Sequence, residues 1–367
     1  MNANGIDGVA LVYCQGAFNT PYGKTAHGLV RLTRRYQVAA VIDGNHAGQD
    51  AGQVLDGRAS NIPVVADLAQ AAAQARQAGT PPTHFVFGIA PDGGRLTAQQ
   101  WHDVKAAIEA GFNVDCGLHQ YLSEDETLSD LALRQGVRLR DVRKPPPIDE
   151  LHFFSGKIEQ VDSLKIAVLG TDSAVGKRTT AQLLVQALNS AGVATEMIGT
   201  GQTAWMQGVR YGLILDSLVN DFVSGEIEHA VWSAWNDRHP AAIVIEGQGS
   251  LMNPAYPGGF EILAAGRPDL IVLQHAPARK EYDGFPGYPI QPLPVQIELI
   301  ELLAAKPVVA VTVNHEDLDP AAIAAACARI TEQTGRPAID VLADGAQALV
   351  DEIKLHLKPA LQRETHD

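Results

Sequence analysis

Cysteine is scarce in this chain. Its three cysteines, Cys14, Cys116 and Cys327, are odd in number, far apart and without a CxxC spacing. That pattern argues against a disulfide framework and against a zinc site, so no metal ligand is assigned. Positive charge is also short: the formal net charge is -14 at pH 7. A surface this acidic repels a nucleic-acid backbone, so no nucleic-acid partner is expected. No apolar run approaches the roughly 18 residues of a membrane span, so no membrane partner is expected either. Met1–Gly5 lacks a basic n-region and a long apolar stretch, which makes a cytoplasmic location the expectation. A GxGxxG fingerprint is missing, and with it the ground for a dinucleotide. Neither an internal repeat nor a low-complexity segment is evident.

What remains is an ordinary globular composition. Hydrophobic residues make up 46% and charged residues 19% of 367 positions, and a chain of this length comfortably holds two cores of about 100–200 residues each. Apolar runs at Gly8–Tyr13, Gln37–Asp43, His84–Ile89 and Asn113–Gly117 read as strands, with helices over Lys24–Tyr36, Leu68–Gly79 and Ala98–Ala110 between them. Strands alternating with helices imply a parallel sheet covered on both faces. Pro145-Pro146-Pro147 breaks the pattern, because consecutive prolines continue neither a helix nor a central strand. The alternation then restarts, with strands at Leu164–Leu169, Ala194–Ile198, Ala241–Ile245, Leu270–Leu273 and Val308–Val313 and helices at Thr180–Ser190, Leu293–Ala304 and Ala321–Thr334. The fold class expected is α/β: a Rossmann-like parallel-sheet domain over 1–145, a linker at 146–160, and a P-loop NTPase-like α/β domain over 161–367.

The segment Gly170-Thr171-Asp172-Ser173-Ala174-Val175-Gly176-Lys177-Arg178-Thr179-Thr180 follows an apolar strand and opens a helix. That context turns a Gly-Lys pattern into a phosphate loop. Glycines let backbone N–H groups turn inward, the helix N-terminus adds partial positive charge, and Lys177 adds a full one. The bland alternative is a strand-turn-helix connection with chance residues. Five residues separate Gly170 from Gly176, one more than the common Walker spacing, and the loop resembles the GTDxxVGK loop of dethiobiotin synthetase. Ile245-Glu246-Gly247-Gln248-Gly249 likewise resembles that family's EGxGG segment, which implies a Glu beside metal or phosphate. A strand-end residue capping a loop is the plain alternative for Glu246.

One departure matters chemically. The residue after a P-loop lysine is normally Ser or Thr, whose hydroxyl binds Mg²⁺. Here it is Arg178, and a guanidinium ligates no metal. Thr179 or Thr180 is the hydroxyl available by a register shift. Taken literally, the site suits a metal-free polyphosphate such as coenzyme A better than Mg-ATP.

Several further segments occur in order: Gly117-Leu118-His119, Gly199-Thr200-Gly201-Gln202-Thr203, Asp216 with Asp221-Phe222-Val223, EGQGSLMNPA at 246–255, and Leu273-Gln274-His275 with Arg279. With the phosphate loop they resemble the P-loop-containing D-glutamate N-acetyltransferase family, long known only as a domain of unknown function. The resemblance covers nearly the whole chain. It implies acetyl-CoA as donor, the amino group of D-glutamate as acceptor, and a homodimer or higher homo-oligomer.

Amine acetylation needs a proton acceptor, donors for the oxyanion, and both substrates held in line. Candidate bases are Glu246, His275, Asp216 and Asp221. Glu246 and His275 follow strands, where parallel α/β sheets gather ligands; a strand cap is the alternative for His275. Asp216 and Asp221 fall in an expected helix over 213–228, offset by roughly 140°, so at most one of them faces a site. Arg279 is the first choice for an acceptor carboxylate, because its planar fork suits one; Lys280 and Arg267 are weaker choices. Gln202 and Thr203 are candidates for substrate contact, with a plain turn as the alternative. Cys116 near His119 permits an acyl-cysteine route, against the simpler reading of a buried strand cysteine. The segment 280–294, rich in Gly, Pro and aromatics, is a flap over the acceptor or a connecting loop.

Three readings follow. The first is an acetyl-CoA-dependent N-acetyltransferase on an acidic D-amino acid. The second is an ATP- and Mg-dependent ligase or kinase of the dethiobiotin synthetase type. The third is a sensor that binds a nucleotide or CoA without catalysis. Arg178 favours the first over the second.

Overall fold

The computed structural model describes residues 6–357. The leader expectation rests on Met1–Gly5 and lies outside the described residues. The chain divides into two compact units. The first holds the described residues up to Pro146 together with Gln202–Val209; the second holds Pro147–Gly201 and the described residues from Arg210 onward.

The first unit is built on six parallel strands: β1 (Gly8–Tyr13), β2 (Tyr36–Ile42), β3 (Val64–Val65), β4 (His84–Phe87), β5 (Asn113–Cys116) and β6 (Leu139–Asp141). Their order is β3-β2-β1-β4-β5-β6, reversing direction between β1 and β4. The connecting helices are α1 (Lys24–Arg31), α2 (Ala51–Asp56), α3 (Leu68–Gln77), α4 (Ala98–Glu109) and α5 (Glu126–Gln135). Several start where a side-chain oxygen takes up an orphan N–H. Asp67 accepts from Gln70 N, Asp125 accepts from Leu128 N, and Thr97 and Gln100 form a reciprocal capping box, each cap stabilising its helix by about 1 kcal/mol. The helix expected over Lys24–Tyr36 ends at Arg31, because Leu32 is extended and Tyr36 belongs to β2. There the Tyr36 hydroxyl donates to the buried Asp115 carboxylate at 2.5 Å, which Arg140 also grips.

The second unit restarts the alternation with β7 (Leu164–Gly170), α6 (Lys177–Ser190) and β8 (Thr195–Gly199). The short helix α7 (Gln202–Met206) groups with the first unit. Thr203 Oγ1 lies 2.9 Å from Thr25 Oγ1, and Gln207 Nε2 donates to the carbonyls of Gly28 and Leu32. The second unit continues through β9 (Tyr211–Gly212), α8 (Asn220–Arg238), β10 (Ala242–Glu246), α9 (Phe260–Gly266), β11 (Leu270–His275), α10 (Leu293–Ala304), β12 (Val308–Val313), α11 (Pro320–Thr334), β13 (Ala338–Ile339) and α12 (Gln347–Lys354). Its seven strands are all parallel, in the order β13-β12-β11-β7-β10-β8-β9. Every residue of β7, β10 and β12 is buried. This is why these strands read as nearly continuous apolar runs, interrupted only by Lys165, Glu246 and Thr312: helices cover both faces. Each fully buried aliphatic side chain, such as Ile243 or Ile245, contributes about 1.5–3 kcal/mol.

The stretch expected as a linker is fastened to α8 from His152 onward. Glu228 accepts from Ser155 N, Ser155 Oγ and Ile158 N at 2.7, 2.8 and 3.2 Å, and Glu226 accepts from His152 N at 2.6 Å. Gly225 permits the approach: a Cβ there would lie 2.0 Å from the His152 carbonyl oxygen. The single helix expected over 213–228 is corrected. Leu215–Ser217 is a separate 3-10 turn, and α8 starts at Asn220 after the extended Val219.

Candidate active site

The second unit's site grows from the carboxyl end of β7, the central strand of its sheet. β7 ends at Gly170 and α6 begins at Lys177, so residues 171–176 form the loop between them. Gly176 sits at φ +103° and Ala174 at φ +54°. Left-handed turns of this kind curl a backbone so that successive N–H groups face one concavity, and the first N–H groups of a 14-residue helix add their partial charge. Gly247 completes the floor. A Cβ there would lie 2.4 Å from the Val168 carbonyl oxygen and 3.1 Å from Lys177 Cδ, so no larger residue fits beneath the lysine. This donor set fits a polyphosphate.

Lys177 is buried, and its Nζ donates at 2.7 Å to both the Asp172 and Gly249 carbonyls. The loop is braced from β11 and β12 as well. Thr171 N donates to the Gln274 carbonyl, and Asn314 Nδ2 donates to the Val175 carbonyl at 2.8 Å. Thr180 is only 2% exposed and donates to Gln274 Oε1 at 2.5 Å, the same oxygen that accepts from Thr312 Oγ1 at 2.6 Å. Its hydroxyl proton is therefore committed beneath the loop. Thr179 and Arg178 are half-buried.

Glu246 ends β10 and is 4% exposed. Its Oε2 accepts from Thr200 N at 3.0 Å, while Thr200 Oγ1 donates to the Glu246 carbonyl at 3.0 Å. Burial raises the Glu246 carboxyl above the usual carboxylate range, although the charge of Arg178, the Thr200 N–H and Lys177 all pull the other way. His275 ends β11, with Nδ1 3.0 Å from Thr171 Oγ1. Burial, aided by Lys280, drops its imidazole to about 4, so the ring is neutral at neutral pH. The two strand-end candidates thus differ in kind. Glu246 holds a proton more readily than a free carboxylate, and His275 less readily than a free imidazole.

Arg279 is half-buried between carboxylates. Its Nε and Nη2 donate to Glu316 Oε2 at 3.0 and 2.7 Å, and its Nη1 donates to Asp172 Oδ2 at 3.0 Å and to the Ser173 carbonyl at 2.8 Å. The other candidates are dispersed. Asp216 lies on an exposed turn tied to this region through Leu215 N, which donates to the Thr200 carbonyl. Asp221 is exposed in the first turn of α8. Gln202 and Thr203 are buried in α7, within the first unit. Lys280 is exposed, and Arg267 pairs with Glu159 at 2.8 Å. In the first unit, burial pushes the Cys116 thiol up to about 12, so it stays protonated and is a poor nucleophile.

Sequence reasoning named no role for Asn253, Gln274, Asn314 or Glu316. Asn253 and Gln274 lay inside motif segments already singled out. Asn314 and Glu316 follow the apolar run of β12, and the rule that ligands gather at strand carboxyl ends was the signal for them.

Comparisons with known proteins agree with this architecture. Residues 152–350 match the family described as a domain of unknown function, DUF1611, P-loop domain, and residues 44–145 match its Rossmann-like N-terminal domain. A protein of Tritonibacter scottomollicae named D-glutamate N-acetyltransferase is 31% identical over 277 residues, covering 73% of this chain and 80% of that protein. One of the same name from a Pseudoalteromonas species is 30% identical over 277 residues, covering 72% and 80%. The crystal structure of a DUF1611 family protein from Anabaena variabilis superposes with a TM-score of 0.86 at 30% identity, covering 95% of this chain and all of that one. This chain belongs to the DUF1611 family, with an N-terminal Rossmann-like domain and a C-terminal P-loop domain.

Proposed function

We propose that this protein is an N-acetyltransferase that moves the acetyl group of acetyl-CoA to the amino group of D-glutamate or a similar acidic amino acid. The names of its relatives support the acetyl transfer. The observation that carries the donor is the anion loop with Arg178 directly after Lys177: a loop with the backbone curl, helix terminus and lysine for a polyphosphate, and a cation where a Mg²⁺-binding hydroxyl is usual. In this reading Gly170–Thr180 anchors the phosphates of the coenzyme and leaves the thioester to reach the acceptor.

The chemistry then falls to groups beside the loop. An ammonium acceptor must lose a proton before its nitrogen attacks the thioester carbonyl, and the departing thiolate must gain one. Glu246 is the better base of the two strand-end candidates. Its burial raises its proton affinity toward the working range, whereas that of His275 is lowered to about 4. His275 serves as a neutral hydrogen-bonding group on Thr171.

Calorimetric titration with acetyl-CoA, and separately with ATP plus Mg²⁺, tests the donor. Binding of acetyl-CoA without a nucleotide supports the transferase. Binding of Mg-ATP alone overturns it in favour of a ligase or kinase.

A further inference from the structure

The carboxylate of Asp172 is fully buried and wholly occupied. Oδ1 accepts from Ser173 N at 2.7 Å and from Asn253 Nδ2 at 2.8 Å. Oδ2 accepts from Arg279 Nη1 at 3.0 Å and from Asp283 N at 2.9 Å. A carboxylate offers about four lone-pair positions, and all four are used. These donors come from three separate stretches: the anion loop itself, the loop after β10, and the segment after β11. The same residue's carbonyl accepts from Lys177 Nζ.

Arg279 is equally committed. Of the roughly five N–H groups on a guanidinium, two go to Glu316 and two are placed by Nη1 on Asp172 and Ser173. No two-pronged edge is left for an incoming carboxylate. One cation therefore bridges two protein carboxylates, on Asp172 and Glu316.

We propose that Asp172 and Arg279 are positioning residues of the anion site. Asp172 gathers three loops into one arrangement and sets where Lys177 points, and Arg279 serves that carboxylate instead of gripping the acceptor. The inference rests on the anion-loop reading of residues 170–180. It goes beyond that reading in assigning Arg279 to the donor side and in making the reach of Lys177 depend on a carboxylate that touches no ligand.

The test compares Arg279→Ala, Arg279→Lys and Asn253→Ala with the unaltered full chain. Affinity for acetyl-CoA and for inorganic pyrophosphate is read by calorimetry, and acceptor KM and kcat at saturating acetyl-CoA are read in a transfer assay. Arg279→Ala is expected to weaken both anions by about tenfold, with Arg279→Lys restoring part of the loss because it keeps a charged donor. Asn253→Ala, which removes one neutral donor, is expected to weaken both by about threefold. Acceptor KM is expected to rise by much less than the anion affinities fall. Unchanged anion affinity with a tenfold rise in acceptor KM would overturn the proposal and return Arg279 to the acceptor pocket. If the unaltered protein takes pyrophosphate but not acetyl-CoA, the coenzyme reading fails while the positioning claim is still decided on pyrophosphate. If it takes neither, the positioning claim falls as well.

Discussion

Lys177 Nζ donates to the carbonyl oxygen of Gly249 at 2.7 Å. The contact joins the anion loop to the loop that follows Glu246, across 72 positions of sequence. It brings the one lysine of the loop beside the segment that follows the candidate base.

Replacing that lysine separates anchoring from folding. Lys177→Ala removes a buried charge-assisted donor, and acetyl-CoA affinity should fall by roughly 100-fold, the equivalent of about 3 kcal/mol. Calorimetry reads the loss. Unchanged affinity would remove the loop from the coenzyme site.

Glu246 connects activity to pH and stability. Burial raises its folded pKa above the unfolded value, so the folded state holds this proton more tightly than the unfolded chain does. The resulting stabilisation is fully present below the unfolded pKa and is lost as pH rises through the folded one. At pH 7.5 Glu246→Gln should therefore melt higher than the unaltered protein, and the advantage should shrink as pH falls into the carboxylate range. The same variant should lose about 100-fold or more in kcat if the carboxylate takes the proton. Thermal melts at several pH values, paired with initial rates, check both outcomes. Full activity in the variant would discharge Glu246 from the base role.

His275 should not titrate near neutrality. Burial lowers its imidazole to about 4, so between pH 5.5 and 8 its ring carbon-proton NMR shifts should stay flat. Folded His275 resists protonation, so its contribution to stability is present above the ordinary histidine range and lost as pH falls toward about 4. A midpoint near 6.5 would show the ring to be far more open to solvent than the geometry gives.

Cys116 separates two chemistries. With its thiol pushed up to about 12, it holds too little thiolate to accept an acetyl group. Cys116→Ala should keep kcat within about twofold while costing about 1 kcal/mol of stability from the small cavity. Trapping of an acetylated Cys116 by mass spectrometry would reverse the assignment.

The legible parts of the fold were the central strands. β7 and β12 are buried throughout and β1 over its last four residues, so their sequences are mostly apolar runs, and their positions followed directly. The two-residue strands β3, β9 and β13 left no such trace, because an edge pair needs no apolar run. Helix α8 was misjudged at its start: Asp216 and Asp221 looked like one helix, yet the extended Val219 divides them. The excursion of Gln202–Val209 into the first unit depends on tertiary contacts such as Thr203 with Thr25, 178 positions apart. In the site, the strand-loop-helix form of residues 170–180 was legible because it is contiguous. The partners of Arg279 were not, since Glu316 and Asp172 lie 37 and 107 positions away. A planar fork suits a protein carboxylate as well as a substrate one, and residue type alone does not choose between them.

The most direct test of the account is the reaction itself. The purified protein is mixed with acetyl-CoA and D-glutamate, without nucleotide, and followed by thiol release and by mass spectrometry of the amino acid. The account predicts free CoA and N-acetylglutamate in equal amounts, with turnover at limiting acetyl-CoA falling by roughly 100-fold in Lys177→Ala. Thiol release and acetylated product both absent, with turnover appearing only when ATP and Mg²⁺ are supplied, would contradict it.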